Sequence, residues 1–442
     1  MRAPQLGSVL LALALCAPRP SGLQDDPRPW RSAAREAALW LERIAEPTEA
    51  GVRWPADPAQ PDSYATNLYS GSAGVLVFLV ELAQVDDDPR WRDLALAGAR
   101  QLVSELPNGP RGSFPLGLYT GLAGQSFALA SAGLAFDDDQ LLQGARAAQG
   151  LLESCADPSE HGVSWGPVND VIGGAAGIGF HLLWAHETFG YETALELAQG
   201  TAAHLIAVAE ERESGLSWPM SAGAERDLPN FSHGTAGVSA FLAQYSLVAN
   251  DERAQRAAEQ GALHLLALAE EREGALSIHH HTPGGEALHY LGWCHGPPGT
   301  ARLFGLLQRA RPDERWQRAE VALTNTLLWS GLPEARPDGY WNNVGICCGA
   351  AGVGAFLLDR GGEEAEQLAL ALGRDLLARA ERVQGGLRWV QAEHRVRPEL
   401  LQAQTGYMQG AAGVGLFLLR LDGQQVGRPP ALRLPDDPFR RP

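Results

Sequence analysis

The stretch NVGICCGAAGVG, residues 343–354, contains a G-x-x-G turn from Gly349 to Gly352 and runs on into small apolar residues. A single G-x-x-G carries almost no information. This one returns seven times: GSAG from Gly71, GLAG from Gly121, GAAG from Gly174, GTAG from Gly234, GPPG from Gly296, GAAG from Gly349 and GAAG from Gly410. Successive starts lie 50, 53, 60, 62, 53 and 61 residues apart. A period of this size marks a repeat architecture, in which each unit buries its apolar face against its neighbours.

Outward from each turn, the sequence predicts two kinds of helix. The segments that follow the glycines, such as VLVFLVELA from Val75 and VSAFLAQYS from Val238, are apolar on most sides and read as buried helices. Between motifs lies an amphipathic helix. After Asn250, the residues Ala254, Ala257, Ala258, Gly261, Ala262 and Leu265 fall at i, i+3, i+4, i+7, i+8 and i+11, one apolar stripe. DDPRW, DDDQ, DERA and DERW open such segments, with acids where the helix dipole favours them. Each repeat is therefore expected to be an outer helix, a connection, a glycine turn and an inner helix.

The predicted fold class is all-α, a closed (α/α) ring of seven units whose glycine-marked inner helices surround a centre. A linear solenoid would leave one exposed face and atypical capping repeats, and neither is evident. Short strands are expected within GLSWPM from Gly215 and GLRWVQ from Gly386. The toroid is expected to span residues 28–422, with a proline-rich C-terminal tail over 423–442.

The formal net charge of −17 argues against a nucleic-acid partner, which needs clustered Lys and Arg. Residues 1–22 read as a signal peptide or lipoprotein signal. Arg2 precedes a short apolar run from Val9 to Ala17, too short to span a bilayer, and LALC ending at Cys16 resembles a lipidation box. The expected location is outside the cytoplasm, with any membrane link made through an N-terminal lipid.

The residues ahead of the glycine turns carry the chemistry. Repeat three has NDVIGGAAG with Asp170, repeat four FSHGTAG with His233, repeat five WCHGPPG with Cys294 and repeat six ICCGAAG with Cys347 and Cys348. If the inner-helix N-termini gather at one end of the ring, their free N–H groups favour an anion or a thiolate there. Three of the chain's five cysteines then lie at one level in neighbouring repeats, where a zinc site would be built. Two other readings compete. Cys294 could form a disulfide with Cys347 or Cys348, whereas the adjacent pair could join only with strain. The thiols could also be small core residues, the reading favoured for Cys155 in LLESCADP. The run His279 to His281 reads as an exposed loop, with metal binding as the alternative.

WCHGPPG and the CCG of repeat six are the most specific pieces of a pattern that resembles the lanthionine synthetase C-like family, over about residues 30–420. The resemblance implies an (α/α)7 double toroid with zinc at its centre. It also implies addition of a cysteine thiol to a dehydroalanine or dehydrobutyrine within a peptide, giving a thioether ring. Carried over, Cys294 and Cys347 match the first two zinc ligands, and Cys348 stands where most members have His. His233 matches the family's HG histidine, an acid/base, and Asp170 the aspartate of D-V-I-x-G. Peptide cyclases often carry a basic residue shortly before WC, and ALHYLGWC offers only His289 and Tyr290 there.

Three protein ligands leave one tetrahedral position of zinc open for a substrate thiol. The implied partners are a peptide or thiol substrate and a separate dehydratase to supply the alkene. A zinc-containing peptide-binding scaffold without catalysis is the alternative reading. A carbohydrate-active toroid would need paired carboxylates at a cleft, and only Asp170 stands at motif level.

Overall fold

The computed structural model describes residues 26–110, 113–383 and 385–438. The expected targeting segment, residues 1–22, lies outside them. Along the chain run α1 (Pro29–Ile44), α2 (Ser72–Ala83), α3 (Pro89–Ser104), α4 (Leu122–Phe136), α5 (Asp139–Ser154), α6 (Ala175–Phe189) and α7 (Glu192–Ala207). They are followed by α8 (Thr235–Ala249), α9 (Glu252–Leu268), α10 (Pro297–Ala310), α11 (Glu314–Leu328), α12 (Ala350–Arg360), α13 (Glu363–Arg379) and α14 (Ala411–Gln425). Among the described residues, the remaining regular structure is a set of two-stranded hairpins in the connections, two of which include Gly215–Ser217 and Gly386–Arg388 as expected.

Every even-numbered helix starts at a glycine of the motif and is buried almost throughout; the odd-numbered helices bury one stripe. In α9 that stripe includes all six residues of the predicted face. Asp139, Glu252 and Glu314 lie in first turns as expected, and the acids before these turns are N-caps: Asp88, Asp138, Asp251 and Asp313 each accept a backbone N–H, which satisfies an orphan donor of the turn.

Each inner helix touches the next, from α2 round to α14, and α14 packs on α2, so the helices form a closed ring. The pairing differs from the expected phase. Each outer helix packs on the inner helix that precedes it in sequence, and α1 crosses the ends of the chain to pack on α14. The inner-to-outer links are short, which favours that hairpin, and the long links carry the strands and turns. Charge fastens the closure: Asp422 of α14 accepts from the Arg28 guanidinium at 2.7 Å and from Arg31 at 3.3 Å.

A second ring, made of backbone, runs through the turns ahead of the inner helices. Tyr69 N–H donates to the Tyr119 carbonyl (2.9 Å), Tyr119 to Ile172 (3.0 Å), Val171 to Ser232 (3.2 Å) and Ser232 to Cys294 (2.9 Å). Cys294 donates to Cys347 (3.0 Å), Cys347 to Met408 (3.0 Å), and Met408 back to Tyr69 (2.9 Å). One link joins each pair of neighbouring turns, so all seven stand at one level.

The same turns explain the glycines. The first glycine of each motif has an extended φ that any residue adopts, from −108° at Gly71 to −152° at Gly121. Space is what excludes side chains. A Cβ on Gly352 would stand 1.9 Å from the Ile346 carbonyl oxygen, and one on Gly413 would stand 1.9 Å from that of Tyr407. The obstacle is backbone and cannot rotate away. Gly352→Ala is therefore expected to destabilise the fold by at least about 3 kcal/mol in denaturant unfolding, the upper end of overpacking penalties. Gly150→Ala, at an exposed helical position with nothing near, should instead gain up to about 1 kcal/mol.

The stretch 423–442, expected as a tail, behaves differently as far as Pro438. Helix α14 continues to Gln425, and residues 428–438 fold back among the inner helices, with Pro435 to Pro438 buried. Its backbone donors are satisfied inside the ring: Ala431 and Leu432 N–H donate to the buried Glu81 carboxylate at 3.0 and 2.8 Å. No helix among the described residues is long and apolar enough to cross a membrane.

Candidate metal and acid–base site

The backbone ring places Cys294 and Cys347 at equivalent positions, two residues ahead of their motif glycines, with Cys348 one residue further on. Neighbouring repeats thereby point three thiols at one spot. Cys294 Sγ lies 3.2 Å from Cys348 Sγ, and Cys348 Sγ 3.4 Å from Cys347 Sγ, while all three sulfurs lie within 4.8 Å of one another. These separations are well beyond an S–S bond, and the thiols are free. Cys155 stands apart at the C-cap of α5 and is half-buried rather than fully buried.

The cluster already distinguishes its members. Hydrogen bonds from the Cys294 and Cys348 thiols, with a further one from the Tyr69 hydroxyl at 3.5 Å, hold Cys347 well below the usual thiol range. Burial pushes Cys294 up, and the bonds it shares with its neighbours push Cys348 up. Three buried sulfurs converging this closely fit a thiophilic divalent cation, whose binding would displace the thiol protons.

Asp170 and His233, 63 residues apart, meet on the same level: His233 Nδ1 lies 2.6 Å from Asp170 Oδ2. The other Asp170 oxygen accepts from the Gly173 and Gly174 N–H groups at 2.8 and 2.9 Å, so the carboxylate is fixed by the turn that opens α6. Burial opposes charge on His233, but the Asp170 carboxylate outweighs it and the imidazole pKa is raised; Cys347 adds to the pull. With Nδ1–H donated to Asp170, Nε2 is the ring nitrogen that this bond does not engage.

The histidine run differs from the exposed loop expected of it. His279 and His281 are buried, and the His280 ring lies 4.0 Å, centroid to centroid, from His295, the neighbour of Cys294. His295 in turn lies 5.7 Å from His233, and Tyr290 continues the row to Trp341 at 5.1 Å. Burial and the neighbouring imidazoles hold His295 well below the ordinary histidine value and push His280 down to about 4, so both are neutral. The site thus has an aromatic, uncharged wall that the sequence reading missed. The available signal was His295 and Tyr290 flanking the WC pair. Of the two residues offered in place of the family's basic one, Tyr290 belongs to this wall, where burial raises its hydroxyl pKa against the pull of Arg395. His289 lies 4.0 Å from Glu270.

A closed α/α toroid with a three-thiol centre at its inner-helix N-termini is the class of protein that fold and site define. Residues 62–431 match the family described as Lanthionine synthetase C-like protein, and the chain belongs to that family. Among solved structures, nisin cyclase is similar at TM-score 0.62 and 18% identity, over 90% of this chain and 94% of that one. The GH76A α-1,6-mannanase of Salegentibacter sp. HEL1_6 gives 0.49 and 11%, over 90% and 99%. Cellobiose 2-epimerase from Bacillus thermoamylovorans B4167 gives 0.44 and 11%, over 67% and 87%. A comparison with curated proteins gives no match.

Proposed function

We propose that this protein catalyses zinc-dependent addition of a cysteine thiol to a dehydroamino acid in a peptide, forming a thioether. The observation that carries the reading is the Asp170–His233 hydrogen bond of 2.6 Å, set at the level of the three clustered thiols. Family membership and the fold shared with nisin cyclase support it. Cys294, Cys347 and Cys348 would hold the metal. Zinc, when bound, would supply an open position that lowers the pKa of an incoming thiol and keeps it nucleophilic.

In the addition, a bond forms between sulfur and the β-carbon, and the thiol's proton ends on the α-carbon. His233 Nε2 is the atom suited to move that proton, while Asp170 holds the ring in one tautomer through Nδ1. Negative charge develops on the substrate carbonyl before the α-carbon is protonated. The N-termini of the inner helices, gathered at this level, favour that charge. The wall of neutral His280 and His295 with Tyr290 adds aromatic surface beside the site. The dehydrated substrate would come from a separate dehydratase.

The Asp170–His233 pair yields a pH test. Asp170 raises the His233 pKa above its ordinary value of 6.5, so the protonated imidazole persists to higher pH than in a free histidine. Asp170→Asn removes that support and leaves burial unopposed, which lowers the pKa. The limb of the kcat profile that reports His233 is expected to move to lower pH in Asp170→Asn, with a smaller loss of rate than when the imidazole itself is deleted. The measurement is thiol addition to a dehydroalanine-containing peptide, followed by mass spectrometry with a thiol-alkylating probe across pH. A limb unmoved by the substitution would detach Asp170 from the proton step.

A further inference from the structure

The C-terminal strap, residues 428–438, enters the ring from the end opposite the thiols. It is fastened on the way in: Arg433 donates to Asp359 at 3.0 Å, and Arg428 faces Glu81 at 3.7 Å and Asp422 at 3.4 Å. Both Glu81 and Asp359 lie near the C-terminal ends of their inner helices. The strap then reaches the far floor with Asp436, whose side chain is fully buried. There its carboxylate accepts from Arg302 Nη1 at 2.8 Å and from the Tyr119 hydroxyl at 3.0 Å. Arg302 also donates to the Asp436 carbonyl at 3.1 Å, and Arg309 to that of Pro438.

Both partners of that carboxylate bear on one residue. The Tyr119 ring meets Trp293 edge to face at 5.3 Å, and the Arg302 guanidinium lies 5.9 Å from the same indole and 5.4 Å from Phe231. Phe231 packs on Trp293 at 5.4 Å. Trp293 immediately precedes Cys294, and both are buried. What remains of the lumen between strap and floor is a cavity of about 70 Å³, lined among others by Trp293, Arg302, Tyr407 and Asp437. A buried arginine needs its counter-charge, and a buried indole keeps its place only while its walls do.

We infer that Asp436 is a positioning residue for the thiol cluster, acting from the C-terminal strap through Arg302, Tyr119 and Trp293 on Cys294. The metal part of this inference rests on the zinc reading above; the positioning of the Cys294 thiol does not. Asp436→Asn in the full chain removes the charge but keeps the shape. In chelator competition, zinc affinity is expected to fall by up to about tenfold, the lower end of the range for a group hydrogen-bonded directly to a ligand. The cobalt-substituted protein should show a shifted thiolate-to-metal absorption band, which a simple loss of stability would not produce.

The metal-free readout is the alkylation rate of the Cys294 thiol by iodoacetamide, followed by peptide mass spectrometry. It should rise on the order of tenfold in Asp436→Asn, the scale of one lost charged hydrogen bond. If the unaltered chain binds no metal, the zinc reading fails, and the alkylation rate alone decides the inference. Should Asp436→Asn not fold, Tyr119→Phe, which deletes only the hydroxyl and keeps the ring against Trp293, takes its place with the same readouts. A folded variant whose Cys294 alkylation rate and, where metal binds, cobalt spectrum match the unaltered chain overturns the inference.

Discussion

Purified Cys347→Ala is expected to hold no zinc, whereas the unaltered chain is expected to hold about one equivalent per chain. Cys347 is the thiol that the other two serve: their hydrogen bonds hold its pKa well below the usual thiol range. Its deletion leaves Cys294 and Cys348, 3.2 Å apart and both with raised pKa values. Two sulfurs are one short of the three protein ligands of a catalytic zinc site. The backbone should tolerate the change, because the Cys347 N–H and carbonyl keep their places in the ring of turns whatever the side chain. Elemental analysis with a count of reactive thiols is the check. Full zinc in Cys347→Ala would place the metal elsewhere. An unaltered chain free of metal, with Cys294 and one of Cys347 and Cys348 unreactive and the remaining thiol free, would favour a disulfide in place of the metal.

The second large effect falls on turnover. His233→Ala is expected to keep its zinc and lose about 10²–10⁴-fold in the rate of thiol addition, the worth of a positioned acid or base. The turn should survive, since Asp170 still accepts from Gly173 and Gly174. The substitution does leave one Asp170 oxygen without its imidazole. His233→Asn, which keeps a donor toward that oxygen but cannot transfer a proton, separates the two effects and should be as slow as His233→Ala. A variant that forms thioether as fast as the unaltered chain removes His233 from the proton step. A variant that also loses its zinc makes His233 a fourth ligand, and the site then has no open position for a substrate.

Much of this was legible along the chain because local chemistry carries it. The helix types follow from the apolar stripe of Ala254 to Leu265 and the apolar run after Gly71, patterns that need only a few consecutive turns of sequence. The candidate residues were legible because the glycine motif acts as a ruler. Counting back from it aligns Cys294 with Cys347 and puts His233 at the position before its own turn. The reason for the glycines was legible only in part. Close approach is required, but the partner is the carbonyl six residues earlier, as for Gly352 and Ile346, and only the folded turn reveals it.

Sequence by itself determined that there are seven glycine-marked helices, which faces they bury, and which three cysteines, one histidine and one aspartate stand at their mouths. Tertiary structure alone decided the rest. It paired α1 with α14, turned His279 to His281 inward against His295, and carried a stretch expected as a tail up to the floor beneath Trp293. The physical reason is range. A helix stripe repeats within a few residues and leaves a period to read, whereas Asp436 and Arg302 meet across 134 residues and Asp422 and Arg28 across 394. Such contacts are set by the closure of the ring, and a closed ring has no local signature beyond the repeat that builds it.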